Sequence, residues 1–123
     1  MRCQNKMSYV SPRQPAKLVR IHFSEEDRIN SAPLYEAIVQ KCQSLGIAGI
    51  TVFRGIEGYG ESTEIHQARI LAHDQPIVAT IVESAANIER LMPELEKMVN
   101  TGMIAISDVE MIRIQGQSVV STN

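Results

Sequence analysis

Aromatic side chains are scarce in this sequence, which has no tryptophan, two phenylalanines and three tyrosines among 123 residues. Small enzymes that oxidise a substrate in an apolar cleft usually line that cleft with aromatic side chains. The sequence also shows no recognisable Ser-His-Asp arrangement and no phosphate-binding GK[ST] motif. It therefore predicts no enzyme, and a small ferredoxin-like oxygenase is the minor alternative.

An excess of charge of either sign is also absent, because 12 basic and 14 acidic residues leave a net charge of −2. A protein that binds nucleic-acid phosphates or an anionic membrane needs a cluster of positive charge. No apolar run approaches the roughly 18 residues of a membrane-spanning helix, and the N-terminal stretch lacks the apolar core of a signal peptide. We expect no nucleic-acid partner and no direct membrane insertion.

Cysteine occurs only twice, at Cys3 in a polar N-terminal stretch and at Cys42 on the apolar stripe of a predicted helix. This distribution does not predict a disulfide framework, and it is typical of a protein of the reducing cytoplasm. Cys42 is interpreted as a core residue, because it lies on the buried stripe with no base near it in the sequence.

The central part of the sequence alternates between the period of two that is typical of strands and the period of 3.6 that is typical of helices. One helix begins near Ser31 and ends at Gly46, whereas the other is capped by Ser84, is broken or kinked at Pro93 and is closed by Thr101-Gly102. The order βαββαβ predicts an α+β fold, a ferredoxin-like antiparallel sheet with two helices on one face. Strands are predicted over residues 16–23, 48–55, 75–83 and 109–114.

The predicted domain covers residues 16–115, between a flexible arm at 1–15 and a flexible tail at 116–123. Its third strand is apolar on both faces, since Val78 and Val82 alternate with other apolar residues. Two helices can cover only one face of the sheet. We therefore expect another copy of the chain to cover the second face in a closed symmetric oligomer.

The longest connection joins the second and third strands over residues 56–74, whereas a hairpin needs only about two to five linking residues. Glycines at 55, 58 and 60 surround Tyr59 at its start. Glycine permits positive φ angles and close approach of another backbone. Long loops in small domains are usually functional, so a ligand-responsive loop and an oligomer-stabilising flap are the two interpretations.

Other polar residues are weaker candidates for chemistry. Imidazole and carboxylate groups of His66, His73 and Glu64 are candidate metal ligands, but no two of them have a recognised ligand spacing, and solvated loop residues are the alternative. His22, beside Arg20, is interpreted as a histidine of the sheet face. Glu25-Glu26-Asp27 is interpreted as a solvated turn.

Several motifs follow one another along the core: PLYEAIV at 33–39, GIAGITVFRGIEGYG at 46–60, Ile65-His66, QPIVATIVES at 75–84, LMPEL at 91–95 and SDVEMIRI at 107–114. Together they resemble family one-hundred-ninety of the domain-of-unknown-function series, which is described as PII-like. The match extends over about Ala16 to Ile114. It implies a ferredoxin-like fold, a homotrimer and similarity to the PII nitrogen-regulatory proteins, which sense nucleotides and metabolites between subunits and present a long loop to partners.

On this resemblance, a small ligand such as a nucleotide binds between the loop base of one subunit and a turn of its neighbour, and the 56–74 loop meets a partner such as a membrane transporter or an enzyme. PII proteins carry a glycine-aspartate-glycine-lysine run where this chain reads MIAISD at 103–108, so the usual phosphate loop is not implied. A divalent-metal-binding trimer resembling the cation-tolerance proteins is the alternative. The implied ligand contacts are Arg54, Gly55, Gly58, Tyr59, Gly60, Arg69, Thr101 and Gly102.

Overall fold

The longest strand, β1 (Gln14–Ser24), follows from alternating side chains. In the computed structural model, which describes residues 11–59 and 75–114, Val19, Ile21 and Phe23 are buried and Arg20 is exposed. The alternation of inward apolar and outward polar residues is confirmed. The strand begins at Gln14 rather than at Ala16.

After β1, the described elements are β2 (Arg28–Ile29), β3 (Ala32–Pro33), α1 (Leu34–Ser44), β4 (Thr51–Arg54), β5 (Pro76–Glu83), α2 (Ala85–Met98) and β6 (Met103–Met111). Four strands form one antiparallel sheet in the order β4-β5-β1-β6, and two helices pack on the face that carries Val19. This is the predicted α+β, ferredoxin-like arrangement. A short hairpin of β2 and β3 is an addition that the sequence pattern did not predict.

Helix α1 begins differently from the prediction. Pro33 is its N-cap with an extended backbone and no side-chain cap bond. Ser31 has a positive φ of 70° in the β2–β3 turn, so the predicted cap at Ser31 is wrong. The helix ends as predicted, because Gly46 follows the C-cap with a φ of 77°, a left-handed conformation that glycine adopts without steric cost.

Helix α2 confirms the predicted cap, since the Ser84 hydroxyl accepts a hydrogen bond from the Asn87 backbone N–H at 3.2 Å. Pro93 lies inside this single helix. Proline removes the N–H that would bond to the carbonyl of Glu89, and both residues are exposed, so water can satisfy that carbonyl. The helix ends at Met98, before Thr101-Gly102.

The last strand was predicted at Val109–Ile114 and is in fact β6, Met103–Met111. Its register with β1 runs from Met103 opposite His22 to Met111 opposite Gln14. This long ladder holds the segment extended even though its apolar alternation is weak. The predicted second strand is also too long, because β4 pairs with β5 only over Thr51–Arg54.

The sheet face opposite the helices is open, and the strand register arranges its side chains in rows. One row holds Phe53, Val78, His22 and Met103, and the next holds Thr51, Thr80, Arg20 and Ala105. Phe53 and Met103 are each 56% exposed, and Val82 beyond them is 39% exposed. β5 therefore has apolar side chains on both faces, as predicted.

Candidate functional site

Antiparallel pairing places two of the predicted ligand-binding segments at the same end of the sheet. Arg54 pairs with Ile77 at the end of β4, and His22 pairs with Met103 at the start of β6. β4 and β6 are the two edge strands, with β5 and β1 between them. Three inter-strand spacings separate the segments by about 14 Å. One chain therefore brings Arg54 and the Thr101-Gly102 turn to one end but not into contact.

Residues at the two ends of the 56–74 connection are hydrogen-bonded to each other at this end of the sheet. The Gly55 N–H donates to the Pro76 carbonyl at 2.7 Å. The Gln75 side-chain amide, oriented with its nitrogen towards the carbonyls, donates to Gly55 O at 3.0 Å and Ile56 O at 3.2 Å. We call Gly55, Ile56, Gln75 and Pro76 the loop neck.

Two of the predicted glycines are explained by close approach in this neck. A Cβ on Gly55 would lie 2.7 Å from Pro76 Cγ, and one on Gly58 would lie 3.3 Å from the same atom. Among the described residues, Gly46 is the glycine with a positive φ. Glycine at 55 is therefore explained by lack of space rather than by a left-handed conformation, and a side chain at 58 would require a small shift of the Pro76 ring. Tyr59 is 88% exposed beside them.

Arg54 forms an ion pair that the sequence did not reveal. Its Nη2 donates to Glu25 Oε2 at 2.6 Å, and the two side chains are 53% and 21% exposed. The hydrogen bond and the charge of Glu25 raise the pKa of Arg54, with a smaller contribution from Tyr35. Glu25 is thus a partner of the predicted cation, and the interpretation of this residue as part of a solvated turn is wrong.

Two clefts adjoin this ion pair and share the side chain of Tyr35. The larger, of about 450 Å³, is lined by Glu25, Glu26, Arg28, Pro33 and Tyr35. The smaller, of about 200 Å³, is lined by Tyr35, Val52, Arg54 and Ile77. Neither is lined by His22 or Arg20, so these two clefts do not support the oxygenase alternative.

The Thr101-Gly102 turn packs closely on the end of β1. A Cβ on Gly102 would clash with the carbonyl oxygen of His22 and lie 3.1 Å from Val99 Cγ1. β6 begins at Met103, directly after the turn. No phosphate-cradling loop follows Gly102, because that segment is a strand paired with β1.

The remaining predicted site residues, Gly60, Arg69, His66, His73 and Glu64, lie outside the described residues. Within residues 11–59 and 75–114, no three His, Cys, Asp or Glu side chains are grouped so that they could hold a metal ion. In the same part of the chain, neither helix has the length and apolar character needed to cross a bilayer.

The sequence from residue 16 to residue 111 matches the family DUF190, described as an uncharacterized ACR. The chain belongs to DUF190. The predicted family is thus confirmed. A UPF0166 protein from Aquifex aeolicus (strain VF5) is 35% identical over 98 residues, which cover 78% of this chain and 92% of that relative.

Solved structures share the fold of this DUF190 chain. A protein described as PII-like and signalling, from Thermus thermophilus, has a TM-score of 0.59 at 17% identity, covering 81% of this chain and 92% of that one. CPII from Thiomonas intermedia K12, bound to ADP, AMP and acetate, has a TM-score of 0.56 at 16% identity, covering 83% and 93%. These likenesses confirm the PII-like, ferredoxin-type fold alone.

Glu25 and Tyr35 are the residues of this DUF190 site that sequence reasoning missed. Glu25 is 29 residues from Arg54 in the chain. Tyr35 lies in the first turn of α1, where helical periodicity alone predicts a partly buried residue. No spacing rule connects either residue to Arg54, so only the packing of α1 and of the strands β1, β4 and β5 reveals the cluster.

Proposed function

We propose that this DUF190 protein is a non-enzymatic, PII-like regulator that binds a small anionic ligand, such as an adenine nucleotide, between two copies of the chain. The observation that carries the proposal is the position of Arg54 and of Thr101-Gly102 at the same sheet end but on opposite edges. A ring of copies sets the β4 edge of one beside the β6 edge of the next. The cleft between them then contains both segments.

The open sheet face supports assembly of such a ring. Phe53 and Met103 are each more than half exposed there, and Val78 lies between their strands. Contact with other copies would remove this apolar surface from water, at about 25 cal/mol for each Å² buried. The resemblance to PII proteins favours a homotrimer for the ring.

In the proposed cleft, the Arg54 guanidinium attracts the anion, and the exposed backbone around Gly58 and Tyr59 offers N–H donors. Gly60 and Arg69 are proposed to complete the loop side, and the Thr101 hydroxyl the neighbour's side. CPII, which shares the fold, was solved with ADP and AMP. This observation supports a nucleotide as the first ligand to test.

We further propose that the ligand sets the conformation of the 56–74 loop. The loop neck is anchored to the sheet by the Gly55 and Gln75 hydrogen bonds. A ligand held at this base can change the conformation of the loop and so its fit to a cytoplasmic partner, such as a transporter or an enzyme.

Calorimetric titration of ADP into the wild type, Arg54→Ala and Arg13→Ala tests the proposed site. Arg13 is a matched control, because it forms an exposed ion pair with Glu110 at the other end of β1, at 3.2 Å. Loss of a hydrogen bond to a charged group costs about 1.5–3 kcal/mol, so Arg54→Ala should weaken binding about tenfold or more. Equal weakening in both variants, or binding unaffected by Arg54→Ala, would contradict the proposal.

A further inference from the structure

Glu25 contacts both chain segments that meet at the loop neck, although it belongs to neither of the strands that the loop connects. Its backbone N–H donates to the Gln75 carbonyl at 2.8 Å, next to the start of β5. Its carboxylate accepts from Arg54 at the end of β4, at 2.6 Å. One residue after β1 therefore holds the end of β4 and the start of β5.

The Arg54–Glu25 pair also lies where an anion would bind. The Arg54 side chain is 53% exposed, whereas the Glu25 side chain is only 21% exposed. The guanidinium is therefore accessible from solvent while its carboxylate partner is held inside. The cleft of about 200 Å³ that Arg54 shares with Tyr35 offers space beside the guanidinium.

We propose that Glu25 competes with the anionic ligand for the Arg54 guanidinium. While the Glu25 carboxylate is bound to this guanidinium, it also holds the loop neck closed. The inference rests on the proposed function, because it concerns the regulation of the same site. Carboxylate and phosphate oxygens accept the same charge-assisted hydrogen bonds from arginine, so they compete for its N–H groups. A bound anion is also repelled by the nearby Glu25 charge.

Competition of this kind couples ligand binding to the neck. When Arg54 turns from Glu25 to a ligand, β4 loses its side-chain connection to the turn after β1. The neck then keeps its backbone and Gln75 side-chain hydrogen bonds but loses the support of the Arg54–Glu25 pair. Because the two contacts exclude each other, anion binding weakens the Glu25 contact, and weakening the Glu25 contact strengthens anion binding by at most the same factor.

The test is a calorimetric titration of the full chain with inorganic pyrophosphate and with ADP, comparing the wild type with Glu25→Gln. Glutamine keeps the shape and removes the charge. Glu110→Gln is the matched control, because it removes the acidic partner of Arg13 from an exposed pair at the other sheet end. Exposed ion pairs contribute about 0.2–1 kcal/mol, so Glu25→Gln should bind about 1.4- to fivefold more tightly, with Glu110→Gln unchanged.

Three results separate the alternatives. Tighter binding by Glu25→Gln that disappears in the Arg54→Ala background supports the competitor. If the wild type binds the probes and Glu25→Gln binds them equally tightly or more weakly, the competitor role is overturned. The proposed function stays intact, since Glu25 would then position Arg54. Binding of neither probe by the wild type overturns both proposals.

Amide hydrogen exchange at Gly55 tests the coupling to the neck. We expect Gly55, whose N–H donates to Pro76, to exchange faster in Glu25→Gln than in Glu110→Gln. Pyrophosphate should accelerate this exchange in the wild type but not in Glu25→Gln. Identical Gly55 exchange in the two variants, both folded by circular dichroism, would overturn the coupling.

Discussion

At the scale of single residues, the backbone packed around position 102 leaves room for glycine but not for a larger residue. A Cβ at this position would clash with the carbonyl oxygen of His22, which belongs to the paired backbone of β1 and cannot move aside without disturbing the ladder. We expect Gly102→Ala to lower the free energy of unfolding by about 1–3 kcal/mol, the usual cost of overpacking.

Urea unfolding at fixed protein concentration measures this effect, and Gly49→Ala is its control. A Cβ on Gly49 meets nothing within 4 Å. The unfolding free energy of Gly49→Ala should therefore stay within about 1 kcal/mol of the wild-type value. Equal stability of the two variants would show that the turn relaxes around the added methyl group.

Cys42 is buried in the core, and desolvation raises the pKa of its thiol to about 11. At pH 8 only about one thiol in a thousand is then ionised, compared with roughly one in four for an ordinary cysteine. In a Cys3→Ser background, we expect Cys42 to react with a thiol reagent only after unfolding. Labelling of the native protein at the rate of a free thiol would contradict this account.

Residue-scale prediction from the sequence succeeded where burial follows periodicity. The inward positions of β1, together with Ile38 and Cys42 of α1, are buried as the pattern indicated. It failed for Glu25, because a run of acidic residues after a strand is typical of a solvated turn. The Arg54 contact depends on packing between distant strands, which no local pattern encodes.

At the scale of elements, helix α2 depends on its first turn. Ser84 satisfies the Asn87 N–H, which would otherwise lack an intrahelical partner. Ser84→Ala should cost about 1 kcal/mol of unfolding free energy. Ser44→Ala is the control, because the Ser44 hydroxyl donates to the Lys41 carbonyl at the exposed end of α1. A larger loss in Ser44→Ala would contradict the assigned cap.

The differences between the predicted and the observed elements have physical causes. The β2–β3 hairpin turns at Asn30 and Ser31, both with positive φ, but Asn-Ser is a weaker signal of this turn than Asn-Gly. β6 was missed over 103–108 because its edge position leaves the apolar Met103 and Ile106 exposed. Its ladder with β1, rather than alternation, holds it extended.

At the scale of the whole molecule, the order of elements was enough to predict the sheet and its helices, and the motifs along the core were enough to predict the family. The site was predictable only in part. Arg54 and Gly102 were identified by resemblance, but their positions on opposite edges follow from the strand order β4-β5-β1-β6. The proposed site, divided between two edges, would be completed only by assembly of copies of the chain, which local sequence patterns do not encode.

Native mass spectrometry of the wild-type chain with increasing ADP tests the central claim most directly, because it reports oligomeric state and bound ligand together. We predict a homotrimer that binds one ADP per cleft between adjacent copies, with no ADP on any monomer that dissociates from it. A monomer that binds ADP by itself, or a trimer that binds none, would contradict a nucleotide site shared between the two sheet edges.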